Sequence, residues 1–437
     1  MRSVLVLAGL LCMATPSFAQ IPGAGAGGGD AQPVPLPPPP KPKPLGQLDF
    51  GPLVLTPTIA LLNVGIDNNV LNSNGQPESD FAATVSPQIH LVYKAGRLFV
   101  ESTTAGDYIY YRKETSQGGF APRTALSAEY RVSRRVTLLG NEQVESRKDR
   151  PSIEIDSRVR HDTVAFGAGV RVGIGPRLDV EIGARQTEVT YATDATFQGV
   201  SLQDTLNQTI RTATGTLAFR LTPYTTLKGL VTIDDQKFPR AQNRDGQSNL
   251  YGAALAFSPR ALLSGEAMVG YRQFWSHSPV QPDFGGPAAD GRLTLALGDV
   301  TGFLFSIRRD LMPSFALTTP YAVQLTYQAA MQQRLTRRFD LGLSYAAMTL
   351  DYKAFTNVLV TPAPVGGDFT HNYGASFGFL STRLGRYAIY VDHWERGWAS
   401  DPTRNYVDTR IGFMITPTRW LTGSSSSRGT LVNTAGL

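Results

Sequence analysis

The side chains able to do chemistry are few and scattered. The five histidines are His90, His161, His277, His371 and His393, and no two of them stand at a metal-ligand spacing. His161-Asp162 and Asp392-His393 are adjacent pairs. Neighbours along a strand point to opposite faces, so neither pair is a ready acid–base dyad. No Gly-x-Ser-x-Gly elbow and no phosphate loop occurs. Gly167-Ala168-Gly169 falls inside a strand pattern, where glycine relieves crowding, and not between a strand and a helix, where it would cradle a nucleotide. Asp179 and Glu181 lie two apart on one strand face. Paired carboxylates can hydrolyse a glycoside, or they can line a wet interior. With no nucleophile–base signature beside them, the expectation is a polar wall and no reaction, cofactor or metal.

The same polar faces carry Arg171, Arg185, Arg220, Arg292, Arg308 and Arg410. The residues expected to line a lumen are Asp179, Glu181, Arg185, Arg171, Arg220, Gln324, Gln328 and Arg410. A wall of mixed charge would pass hydrated solutes and tune selectivity. Trp275, Trp394 and Trp398 stand beside long polar segments. They are candidates for carbohydrate contact by stacking, or for anchoring at a membrane interface.

The elements that must position these residues are strands. In Leu178 to Thr187, Leu178, Val180, Ile182 and Ala184 share one face, and Asp179, Glu181, Gly183 and Arg185 the other. Tyr321 to Gln328 and Phe339 to Tyr345 repeat the scheme, as do 164–173, 213–221 and 407–413. A period of two is that of a strand. Connections alternate in length. Short ones fall at 94–97, 133–135, 175–177, 222–225, 258–260, 298–300, 336–338 and 382–386. Long polar ones fall near 66–80, 112–123, 147–161, 193–207, 236–248, 276–289, 309–318, 352–370 and 395–404. Short turns on one side and long loops on the other are the habit of membrane barrels. Counting predicts an all-β, antiparallel transmembrane β-barrel of 16 to 18 strands between Leu53 and Ile415, with strands of ~9–13 residues against the ~9–11 needed to cross a bilayer. The apolar set ends in aromatics, as at Tyr108, Tyr110, Tyr111, Tyr271, Tyr321 and Tyr387. A soluble barrel would carry its apolar face inward. The loop alternation, the size and the leader favour lipid outside.

That leader is residues 1–19: Arg2, then an apolar run from Val4 to Met13, then Ser17-Phe18-Ala19 as a small-x-small cleavage site. Its run is too short to span a bilayer. It contains the only cysteine, Cys12, so the exported chain has neither thiol nor disulfide. Residues 20–49 form a Gly/Pro-rich linker with eight prolines between Pro33 and Pro44, extended and disordered because proline lacks an N–H. Residues 50–437 form the barrel. No other stretch reaches 18 apolar residues, which leaves a barrel as the only way to span. A net charge of +6, with basic residues scattered and charged residues at only 17%, is no nucleic-acid footprint. Asn405 to Ile415 is the expected eighteenth strand, with Phe413 near its end. A further strand begins at Trp420 and dissolves into Ser424 to Ser427.

Thr56-Pro57 opens the first strand, Asp67-Asn68-Asn69-Val70 enters the first loop, Ser86-Pro87 lies in the second strand and Tyr108-Ile109-Tyr110-Tyr111 ends the third. Over these residues, and in turns such as Thr222-Pro223 and Thr416 to Trp420, the chain resembles the outer-membrane β-barrel porin family associated with bacterial exopolysaccharide loci. The resemblance implies export to a Gram-negative outer membrane and a non-enzymatic conduit or scaffold in polysaccharide export. Outer-membrane lipid, polysaccharide and export machinery are then the expected partners, and nucleic acid is not. A general diffusion porin and a structural or adhesive barrel that binds through its loops are the competing readings.

Overall fold

The computed structural model describes residues 47–259, 261–298, 300–356, 368–381, 385–399 and 401–416. Eighteen long strands run in order. They are β1 (Leu53–Asp67), β2 (Asp80–Ala95), β3 (Leu98–Tyr111), β4 (Gly119–Arg131), β5 (Val136–Asp149), β6 (Val159–Gly173), β7 (Leu178–Tyr191), β8 (Gln208–Thr222) and β9 (Thr225–Lys237). There follow β10 (Gly246–Phe257), β11 (Leu263–Ser276), β12 (Phe284–Leu297), β13 (Thr301–Pro313), β14 (Tyr321–Arg334), β15 (Phe339–Lys353), β16 (Asp368–Ser381), β17 (Gly385–Gly397) and β18 (Tyr406–Thr416). Each pairs antiparallel with the next, and β18 pairs with β1, from Leu61 opposite Ile415 to Asp67 opposite Arg410. The sheet is thereby closed. A short strand, Leu48–Phe50, adds to β1, and one five-residue helix, α1 (Leu202–Leu206), sits in the loop after β7 with the Ser201 hydroxyl capping it.

The alternation of turns and loops follows the sequence reading. Short turns such as 96–97 and 223–224 share one end; loops such as 68–79, 150–158 and 192–207 share the other. The strands are longer than expected, 11 to 16 residues. Pairing takes no account of where lipid ends, so hairpins run on beyond the hydrocarbon into the loops. The leader and residues 20–46 of the linker lie outside the described residues, as does the strand beginning at Trp420. The last residues of the expected linker, Leu48 and Asp49, are already paired with β1.

The period of two sorts residues as expected. On β7, Ile182 is outward and 67% exposed while Glu181 faces in and is buried. Val269, Ile389, Ile411 and Ile59 belong to the same exposed apolar surface. In water such a surface would be a large aggregation hazard; against acyl chains it carries no penalty. Tyr108, Tyr110 and Tyr271 project outward and are exposed. Tyr111 does not: directly after Tyr110 it takes the other face, and it is buried against Val70 and Ala82 inside the mouth. Tyr321 is buried as well, its hydroxyl donating to the Pro282 carbonyl at 2.9 Å.

An arginine at outward-facing Ile182 should destabilise the folded barrel by about 2–4 kcal/mol, and one at inward-facing Thr214 should leave the unfolding midpoint near that of the parent. Denaturant titration in bilayers checks the pair. Equal effects at the two positions would mean that the faces are assigned wrongly.

Candidate functional site

The interior wall is a lattice of ion pairs that join neighbouring strands and strands two apart. Arg171 on β6 donates to Glu181 on β7 at 2.8 Å and lies 3.7 Å from Glu129 on β4. Arg220 on β8 reaches Asp179 at 3.0 Å. Lys228 and Glu266 pair at 2.6 Å, Arg272 joins Asp234 and Asp310 at 3.0 and 2.6 Å, and Arg386 grips Asp340 at 2.6 Å. Arg185 differs. It crosses β6 to donate to the amide oxygens of Asn141 at 2.8 Å and Gln143 at 3.0 Å. Gly167 stands opposite Arg185 in the register, and a Cβ there would come within 2.9 Å of Asn141 Oδ1. The Gly167-Ala168-Gly169 run therefore keeps the wall low where the arginine and its amide acceptors lie.

The seam between β1 and β18 is stitched by the residues that open the first loop. Asp67 meets Arg410 at 3.2 Å, and Arg410 holds Asp408 at 2.7 Å. Asn68 accepts from the Thr409 N–H at 2.7 Å; Asn69 donates to the Val407 carbonyl at 3.0 Å. Val70 then turns inward to pack on Ala82 and Tyr111. The strands approach closely here. A Cβ on Gly65 would fall 2.0 Å from the Ile411 carbonyl oxygen, and one on its partner Gly412 2.6 Å from that of Val64. Only glycine fits at either position.

At the long-loop end, extracellular in barrels of this kind, the 150–158 loop folds inward. Ile153 packs against Ala322, Met348, Leu350 and Trp398, residues of β14, β15 and the 398–405 loop, far round the wall from its own strands. Ile155 joins Phe197, Leu202, Leu206 and Phe315 in a second apolar cluster. Glu154, only 1% exposed, accepts from the Ser314 hydroxyl at 2.8 Å and the Phe315 N–H at 3.3 Å. Asp156 is held by Arg396 and, at 3.1 Å, by Arg404, which also donates to the Glu154 carbonyl. The loop thus bridges the mouth and narrows it. Burial pushes the Glu154 carboxyl above its ordinary value, outweighing the Ser314 and Tyr352 hydroxyls that favour the charged form.

A closed barrel with an apolar exterior, a charged interior and a loop folded into its mouth has the parts of a solute channel. The family described as "Putative beta-barrel porin 2" matches residues 41–415. The chain belongs to this family of porins. As an outer-membrane β-barrel porin, it presents its apolar belt to lipid and its charged wall to water. No curated protein matches it in sequence. Among solved structures it is similar to the outer membrane protein opdK from Pseudomonas aeruginosa, at 14% identity and TM-score 0.45, over 83% of this chain and 98% of that one. A BenF-like porin from Pseudomonas fluorescens Pf-5 and Pseudomonas aeruginosa OccK2 (OpdF) in complex with glucuronate each give 10% identity and TM-score 0.45, again over 83% and 98%.

The structure places Asp179, Glu181, Arg185, Arg171 and Arg220 together on β6 to β8, all facing in. Gln324 and Gln328 face in on β14, opposite Asp310 and Ser306 of β13, and Arg410 faces in at the seam. These are three separate stretches of wall. The three tryptophans are not alike. Trp275 projects outward, 41% exposed. Trp394 faces in and is buried, with no hydrogen-bond partner for its indole N–H. Trp398 is buried under the guanidinium groups of Arg396 and Arg404, 3.6 and 4.4 Å from its ring centroid, where a stacked sugar would have to sit. Asp162 and His393 lie outward of their neighbours His161 and Asp392, so neither pair forms a dyad. Sequence reading expected a long loop near 147–161 but missed that 150–158 folds into the mouth. Its signal was present in Ile153, Glu154 and Ile155, an apolar–acid–apolar triplet in a polar segment, with nothing local to say what it would meet.

The released loop carries Glu154 with an ordinary carboxyl; the seated loop carries it raised, and so binds more protons in the window between the two. Seating should therefore tighten as pH falls through that window towards the ordinary value of 4.5. E154Q should abolish the pH dependence. E154A leaves the Phe315 N–H unpaired, at about 1–3 kcal/mol, while the Ser314 hydroxyl keeps Thr319 as a partner, and should speed cleavage of the loop by external protease several-fold. Protease protection measured across pH checks all three outcomes.

Proposed function

We propose that the protein is a conduit for hydrated polar solutes, with the 150–158 loop setting the size of what passes. The observation that carries this reading is the ion-paired interior wall: a scaffold needs no charge inside, whereas a watery path gains from it. A small-solute, general diffusion role suits the narrowed mouth best, because a polymer would have to displace Ile153 and Glu154 from their seats. A second reading is a conduit in exopolysaccharide export. It is favoured by the family resemblance alone, because the unpartnered indole N–H of Trp394 is buried out of reach of a passing sugar. A structural or adhesive barrel acting through its loops has no comparable support in the wall. On the conduit reading, Asp179, Glu181, Arg171, Arg185, Arg220, Gln324, Gln328 and Arg410 contact the passing solute.

Planar-bilayer recording tests the conduit. Discrete conductance steps are expected from the parent, with steps several-fold larger when residues 151–157 are replaced by a short Gly-Ser link. Silence from both proteins would remove the conduit reading. Deletion of the gene separates the cargoes. Lost small-solute uptake with surface polymer intact supports the diffusion role, and the reverse supports export.

A further inference from the structure

Outside the narrowed path, the mouth holds a second feature that the wall does not explain. Arg150 and Arg158 flank the 150–158 loop and converge on one backbone oxygen: Arg150 donates to the Val70 carbonyl at 2.9 Å and Arg158 to the same oxygen at 3.1 Å. The rest of their hydrogen bonding is neutral as well. Arg150 donates to the Asp156 backbone carbonyl at 2.6 Å and Arg158 to the Gln117 side-chain amide at 3.4 Å. Among the described residues no carboxylate pairs with either one. The Asp156 carboxylate, which shares the cavity with them, is committed to Arg396 and Arg404. Two like charges on one carbonyl repel each other, and burial adds to the cost. Burial, then the neighbouring Arg158 and Arg410, bring the Arg150 guanidinium down to about 9. The arginines of the wall, by contrast, hold carboxylates or amide oxygens of their own.

The pair also lines a cavity of about 490 Å³ between the 112–118, 150–158 and 192–207 loops. Lys148 and Arg160, opposite one another on β5 and β6, extend its basic lining; its acids are Asp194 and Asp156, the latter already paired with Arg396 and Arg404. Ser116, Gln117 and Ser157 add neutral hydrogen-bonding groups. The space is large enough for a monosaccharide-sized solute.

We propose that this cavity is a binding site for an oxyanion, a carboxylate or phosphate group carried by a solute arriving from outside, with Arg158 and Arg150 as its anchors. Guanidinium forks match both groups bidentately. Binding would neutralise the pair without disturbing the Val70 carbonyl, which has two lone pairs to share. The lining gives no comparable reason to hold a neutral sugar.

The test is calorimetric titration of the full chain, refolded in detergent micelles, with D-glucuronate, inorganic phosphate and D-glucose. It needs no open channel, so a silent bilayer and a failed binding site remain separate results. Binding of glucuronate, phosphate or both, with glucose at least tenfold weaker, is expected; which anion binds identifies the group carried. R158Q should weaken that binding at least tenfold and K148Q several-fold, while R337Q, in the turn at the opposite end, should leave it unchanged. Each variant must keep the heat-modifiable gel band of the folded barrel, and K148Q, at an outward position, reports on the site even if R158Q fails to fold. Absence of anion binding overturns the proposal, as do equal affinities for glucuronate and glucose or anion binding untouched by R158Q and K148Q.

Discussion

Every backbone N–H and C=O that lies in hydrocarbon has to be paired within the protein, because lipid offers no substitute. A sheet can meet that demand only by closing, so the whole structure depends on the pairing of β18 with β1. The seam is the weakest part of the ladder. Its register shifts between Leu61 and Val64, where Asn63 takes a positive φ of 52°. What compensates is concentrated in a few residues: the Gly65–Gly412 approach, the Asp67–Arg410–Asp408 cluster and the asparagines that hold Val407 and Thr409. Asp67-Asn68-Asn69-Val70, one of the motifs that carry the family resemblance, thus also helps to close the barrel.

The same motif ties closure to the mouth. Val70 leaves the seam, packs inside on Ala82 and Tyr111, and offers its carbonyl to Arg150 and Arg158 at the ends of the 150–158 loop. From there the loop runs to Ser314 and Phe315 and to Arg396 and Arg404. Seam, plug and far wall form one connected network of hydrogen bonds and ion pairs. In a barrel whose backbone pairs each strand only with its neighbours, this loop supplies contacts across the mouth. It stiffens the mouth and restricts it in one stroke, and the wall below is left free to be polar because closure does not rely on a packed core.

Strand number, the ends of most strands and the two faces were legible in the sequence, because each rests on local chemistry: a period of two, and turns of Gly, Pro and Arg alternating with long polar runs. Leu178 to Thr187 shows how far this reaches, since its inward and outward sets are those observed. The period fails where a strand ends in consecutive aromatics. Tyr110 and Tyr111 cannot share a face, and hydropathy alone does not say which of them turns in. The pairs Arg171–Glu181 and Arg220–Asp179 needed only the register of adjacent strands. The inward fold of the 150–158 loop could not be anticipated, because Ser314 and Arg404, which hold Glu154, lie 160 and 250 residues further along the chain. Nor could the burial of Trp398 under two arginines, one of them from a loop.

The central claim is that the loop bridges the mouth from β5–β6 to β14–β15. Cys12 is the only cysteine of the sequence, so in a C12S background an introduced cysteine pair can be read without interference. Ile153 and Ala322 belong to one buried cluster. In an I153C/A322C protein in intact outer membranes, the account predicts a disulfide under mild oxidation. Before oxidation, both introduced thiols should be protected from an impermeant reagent. Rapid labelling of the thiol at position 153 from outside, with no cross-link, would contradict the account and place the loop away from the mouth.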